Sequence, residues 1–270
     1  MRNSLILLSI AILVGLGLFI FQPKNVEGPR VSPQIIKTKG FPYQALDAAL
    51  EIAFPQSPQG TDPQPKPRYD RLKEQAQALD HYLALISEIG PRSAPHRFNR
   101  REQRLAYMLN AYTAGLLAIV RDACPLQSVE EPYLFSGLFW RVSLRVGGEE
   151  LSLNDIAAQV STLSQGDPRV MLALSRGMQA NLPLLPRAWT PDNLEKGLAE
   201  LEKNLLQEPF VTKKGDELVL GAPFKWYEHR FTPSLKRYIE AKQPQLMQGV
   251  KRLSFAQINK NLDGICSTSH

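Results

Sequence analysis

The chain is poor in the residues that do chemistry. It has two cysteines and four histidines among 270 residues. Cys124 and Cys266 stand far apart and no Cys-x-x-Cys occurs. That excludes a disulfide-stapled scaffold and a thiolate zinc cluster. An extracytoplasmic domain would permit one Cys124–Cys266 bridge; two small buried apolar side chains is the plainer reading. The histidines, His81, His96, His229 and His270, include no pair at the i, i+4 spacing of a helical metal site. No Gly-x-Ser-x-Gly elbow and no glycine-rich phosphate loop is present, so nucleophilic and phosphoryl-transfer chemistry have no local support. There are no internal repeats. No metal site and no cofactor are expected.

What is present is an ordinary globular composition. The chain is 43% apolar, enough for one large domain with a proper core. Its net charge is +6, spread along the sequence. The densest basic stretch is His96 to Arg104, HRFNRREQR. It reads first as a solvated helix start and second as a patch for phosphate or anionic lipid. No nucleic-acid motif accompanies it, and no nucleic-acid partner is expected.

The N-terminus carries the one long apolar run. Leu5 to Phe21, LILLSIAILVGLGLFIF, has no charge, and none falls between Arg2 and Lys24. About 20 such residues cross the hydrocarbon core as a helix. A cleaved secretory signal is the competing reading, but this run is long and ends in bulky Phe19, Ile20 and Phe21 rather than a small-residue box. The expectation is an anchor or uncleaved signal over 1–22, with the domain periplasmic or otherwise extracytoplasmic in a bacterial type of topology. The flanking charges are nearly tied and do not decide the orientation.

Beyond the anchor, Pro23, Pro29 and Pro33 make 23–40 a linker. A short amphipathic helix fits Tyr43 to Phe54, and Pro55 to Pro67 is a proline-rich loop. Leu72, Leu79, Leu83 and Ile86 recur at helical spacing up to Pro91. Asn99 and Glu102 suggest a capping box before the stripe Leu105, Met108, Leu109, Tyr112, Leu116, Ile119 and Val120. That stripe is wide enough to be buried on more than one side. Trp140 to Val146 alternates with period two and turns at Gly147-Gly148. Ser152 to Asp155 caps the next helix, and Thr190-Pro191-Asp192 starts another through Leu194, Leu198, Leu201 and Leu205. A second hairpin fits Phe210 to Leu220, turning through Lys214-Gly215-Asp216, and a last helix fits Ser234 to Lys242. The fold class expected is α+β: a helix-rich single domain over 41–264 with small antiparallel β-hairpins, one N-terminal transmembrane helix before it and a tail over 265–270.

Several of these stretches, in order, resemble one family. They are LNAYTAGLLAIV at Leu109 to Val120, VGGEELSLNDI at Val146 to Ile156, DPRVMLAL at Asp167 to Leu174, TPDNLEKGL at Thr190 to Leu198 and APFKWYEHRF at Ala222 to Phe231. The set is similar to the family called domain of unknown function 547, over about Tyr43 to Leu262. The resemblance implies candidate chemistry at an Asn-Cys-Ala-Ser-x-x-Cys-Pro type motif, at a His shortly before it and at a Glu-His pair after Asp-Asp-Ile. A set of that kind would hold a metal or a reactive thiolate. This chain departs at each place. Met171 stands for the His, Arg176 and Asn181 for the two Cys, Ala157 and Ala158 for the Glu-His pair, and Thr113 for the second Asn of the family's Asn-Ala-Tyr-Asn helix. A thioether, a guanidinium and an amide cannot replace imidazole and thiolates.

The expectation is therefore a membrane-anchored, non-catalytic module that binds a small ligand or a protein partner. A hydrolase-like enzyme with an unrecognised site and a structural subunit of a membrane complex are the alternatives. No catalytic residue is assigned. The ligand-binding candidates are Arg176, Lys225, Tyr227, Asn110 and Tyr112. Asn110 and Tyr112, on the buried helix, read first as structural. Asp155 reads as a cap, and Asp167 with Arg169 as a turn-fixing pair. Lys225, Trp226 and Tyr227 read as core packing with a snorkelling lysine, and as the place to look for a ligand surface. Arg176 needs either space or an anionic partner.

Overall fold

One helix organises the domain, and its burial explains the width of its apolar stripe. The computed structural model describes residues 24–26, 40–55, 66–131 and 137–266. The run Leu5 to Phe21 lies outside the described residues, and among those no helix is long and apolar enough to cross a membrane. The 23-residue helix α4 (Arg101–Ala123) is about 35 Å long. Every residue from Leu105 to Arg121 is buried, so neighbours surround it. Before it come α1 (Asp47–Ala53), entered through a 3-10 turn at Tyr43–Leu46, then α2 (Tyr69–Glu74) and α3 (Gln77–Glu88). The leucine spacing suggested one helix where α2 and α3 are two, broken at Gln75–Ala76. The cap of α4 also lies one residue later than expected: Gln103 accepts the Arg100 N–H at 2.8 Å, while Asn99 donates back to the His96 carbonyl.

After α4 the chain makes α5 (Leu138–Arg141), β2 (Val142–Val146), β3 (Glu149–Ser152) and α6 (Leu153–Leu163). Gly115 lets α4 approach β2 and α6, since a Cβ there would sit 2.2 Å from Leu144 and 3.0 Å from Leu153. The cap of α6 is as read: Ser152 Oγ accepts the Asp155 N–H, and Asp155 accepts the Ser152 N–H at 2.9 Å. The basic stretch before α4 is structural in part. Arg101 donates to the Leu163 and Ser164 carbonyls that end α6.

The body closes with α7 (Pro168–Leu172), α8 (Leu194–Leu205), β4 (Val211–Lys214), β5 (Glu217–Leu220), α9 (Ala222–Trp226), α10 (Leu235–Lys242), α11 (Pro244–Met247) and β6 (Arg252–Phe255). Both expected hairpins are present, β2–β3 and β4–β5. Each is widened by a distant strand in parallel register. β1 (Lys24–Val26) joins β2 and β6 joins β5. β1 falls inside the segment read as linker.

The C-terminal segment is a strap rather than a tail. Leu262 N–H donates to Gln127 O, Asp263 N–H to Gly177 O and Ile265 N–H to Pro67 O, each at 2.7 to 2.8 Å. Cys266 then bonds Cys124 in a disulfide. Ile265 and Cys266, placed beyond the domain by the sequence boundary, are therefore part of it. The bridge read as the less ordinary fate of the two cysteines is formed.

Candidate functional site

The segment after α7 is the site where the chain departs from the family's motif. Its turns are held locally. Ser175 Oγ accepts the Gly177 N–H at 3.2 Å, and Asn181 Oδ1 accepts the Arg176 N–H at 3.1 Å. Gly177 has φ +67°, and a Cβ there would lie 3.2 Å from Val129. The strap bonds this loop from outside, through Gln179 N–H to Asn261 O and Ala180 N–H to Asn259 O. Two of the three replacements are absorbed by the fold. Met171 is buried in the core, and Asn181 is the buried acceptor that closes the turn.

Arg176 is not absorbed. Its guanidinium lies over the Phe139 ring at 4.9 Å and over the Trp226 ring at 5.8 Å from their centroids. Both distances fall within cation–π reach, roughly 0.5–2 kcal/mol each depending on desolvation. Arg176 is half-buried. Among the described residues its guanidinium has no carboxylate partner and no hydrogen-bond acceptor. Five N–H donors on a planar, permanently charged group are thus unspent.

Two phenols share its field. Tyr112 is buried on α4 and Tyr227 half-buried after α9. Burial pushes the Tyr112 hydroxyl well above the ordinary phenol range, with Tyr227 adding to the effect and Arg176 opposing it. Burial likewise raises Tyr227, against the pull of Arg176. Both stay protonated at neutral pH and keep an O–H to donate. A guanidinium set over two rings, with two neutral phenols within its electrostatic reach, can receive an anion. It supplies neither a nucleophile nor a proton acceptor.

The other candidates separate from this cluster. Asn110 is fully buried, and its amide bonds both the Trp189 carbonyl and the Trp189 N–H at 2.8 Å. It is a clamp across the core and cannot contact a ligand. Lys225 is exposed, without a hydrogen bond or ion pair among the described residues. Asp155 caps α6 as read. Asp167 and Arg169 pair as expected, with Glu195 as a second carboxylate on Arg169 at 2.6 Å. Burial works to raise Asp167, but the Arg169 hydrogen bonds outweigh it and hold the carboxyl below its usual range. Phe139, the floor of the cage, was not singled out in sequence; the aromatic run before Val142 was the only signal for it.

Asn181 also lines a concavity. It is a cavity of about 200 Å³ lined by Lys66, Asp263, Gln179, Asn181 and Phe210 among others. Burial raises the Asp263 carboxyl above the usual carboxylate range, with Lys66 opposing. Among the described residues no group of three His, Cys, Asp or Glu is placed to hold a metal ion.

No curated protein and no solved structure matches the chain. The family described as protein of unknown function, DUF547, matches residues 95–206. That span runs from the turn before α4 to the end of α8 and includes Tyr112, Phe139 and Arg176, while Trp226 and Tyr227 lie beyond it. The match covers less than half of the chain and, set beside the ordered motifs, supports membership of the DUF547 family.

Proposed function

We propose that this domain is a non-catalytic binding module that takes an anionic group at Arg176, and that its N-terminal run holds it on the outer side of a membrane. The observation that carries the binding reading is the unspent guanidinium between Phe139 and Trp226, with two protonated phenols in its field. A half-buried guanidinium without a carboxylate is open to a ligand that brings the opposite charge. The oxidised Cys124–Cys266 pair fits an oxidising compartment, in keeping with an extracytoplasmic domain behind the apolar run. The ligand class is a phosphate or carboxylate small enough to meet one arginine and two hydroxyls.

The test is calorimetric titration of the full chain in detergent with inorganic phosphate and with acetate. Arg176→Gln should weaken binding at least tenfold and leave the melting temperature nearly unchanged. Tyr112→Phe and Tyr227→Phe should each weaken it less. Equal binding by wild type and Arg176→Gln, or none by wild type, sinks the reading. A second reading, an enzyme, draws on the Lys66–Asp263 cavity and its raised carboxyl. Hydrolytic turnover that Asp263→Asn abolishes would put that reading first.

A further inference from the structure

The register of β1 on β2 decides which face of the domain meets the membrane. The apolar run ends at Phe21, and Lys24 is already paired with Val142. Only Gln22 and Pro23 lie between them. Three Cα steps span at most about 11 Å. The sequence suggests a long proline-rich tether over 23–40, which would let the domain swing. Strand pairing reduces the tether to two residues.

The pairing is parallel, so the chain enters β1 at the same end of the sheet at which it enters β2. What precedes Val142 is α5, Leu138–Arg141. Trp140, on that helix, is 46% exposed. It and Ile265 are the only large apolar side chains so exposed among the described residues. The Arg141 guanidinium lies over the Trp140 indole, 4.5 Å from its centroid. An indole with a cation on its face suits the headgroup layer, where one end of the ring is apolar and the other wet. The opposite end of β2 is about 15 Å away along the strand. There the Gly147-Gly148 turn is bonded to the end of α3, through Gly147 N–H to Ile86 O and Gly148 N–H to Ser87 O. Gly90 and Gly147 approach so closely that a Cβ on Gly90 would lie 2.6 Å from Gly147 Cα. The strand is thus braced against the body, and its direction fixes the direction of the domain.

We infer that the α5 end of the domain lies against the bilayer that holds Leu5 to Phe21, with Trp140 seated in the lipid interface and the Gly147-Gly148 turn facing away. The inference rests on the anchor reading proposed above. Its test is fluorescence of the full chain reconstituted into phosphatidylcholine vesicles whose acyl chains are brominated at a shallow or a deep position. Shallow bromines should quench more strongly than deep ones. Trp140→Phe, a change at an exposed ring, should remove that quenching while Trp189 and Trp226 continue to emit. Protein that floats with the vesicles but shows no quenching specific to Trp140 overturns the orientation and leaves the anchor standing. Protein that does not float with the vesicles overturns the anchor reading, and the orientation with it.

Discussion

Breaking the Cys124–Cys266 bond should cost the domain a large part of its stability. The bridge joins residues 142 positions apart. Closing a loop of that size removes about 17 cal/mol/K of chain entropy from the unfolded state, or about 5 kcal/mol at room temperature. That is a ceiling, since measured values cluster at about 2–4 kcal/mol. A domain with about 5–15 kcal/mol in total would feel either figure. The perturbation is Cys124→Ser with Cys266→Ser, compared with wild type before and after reduction. The assay is urea unfolding of the full chain in one detergent, followed by circular dichroism. Hydrogen exchange adds a local readout. The amides of Leu262, Asp263 and Ile265, bonded to Gln127, Gly177 and Pro67, should lose protection before those of α4. A stability change below about 0.5 kcal/mol, against the 2–4 expected, would refute the reasoning. So would two titratable thiols in protein that has never been reduced.

Other outcomes follow from single side chains. Gly264→Ala should cost about 1–3 kcal/mol by overpacking and loosen the strap. Its φ is +148°, and a Cβ would lie 2.3 Å from the Tyr69 ring and 2.8 Å from Pro67 O; urea midpoints and exchange at Ile265 check this. Asn110→Ala should cost about 2–5 kcal/mol, because it strands the buried N–H and carbonyl of Trp189. Anion binding by whatever remains folded should be unchanged, which titration at low temperature would show. The carboxyls have opposite pH signatures. Asp167 is held below its ordinary value, so its stabilisation is present above the unfolded pKa and lost as pH falls through the folded one. Asp263 is raised, so its contribution is present below the unfolded pKa and lost as pH rises through the folded one. Melts between about pH 7 and about pH 3 should show Asp167→Asn flattening the acid loss, and Asp263→Asn raising stability most at neutral pH.

The sequence by itself determined the local elements. Periodicity gives α4 its buried width, Gly147-Gly148 and Lys214-Gly215-Asp216 give the two turns, and Ser152 with Asp155 gives a cap, because each signal lies within a few residues of what it controls. It also marked Arg176 as a cation in an odd place, and named Tyr112 and Tyr227 as separate candidates without joining them to it. What it did not carry were the long-range decisions. β1 and β6 join their hairpins in parallel and leave no turn signal, since a parallel partner can come from anywhere in the chain. The disulfide, and the strap's bonds to Gln127 and Pro67, join positions more than a hundred residues apart. Asn110 and Arg176 look alike in sequence as polar residues on apolar stretches. Only the tertiary structure gives one both of its partners on the Trp189 backbone and leaves the other between two rings with its donors unspent. Burial and partner count belong to neighbours in space, and nothing within a few residues of either position encodes them.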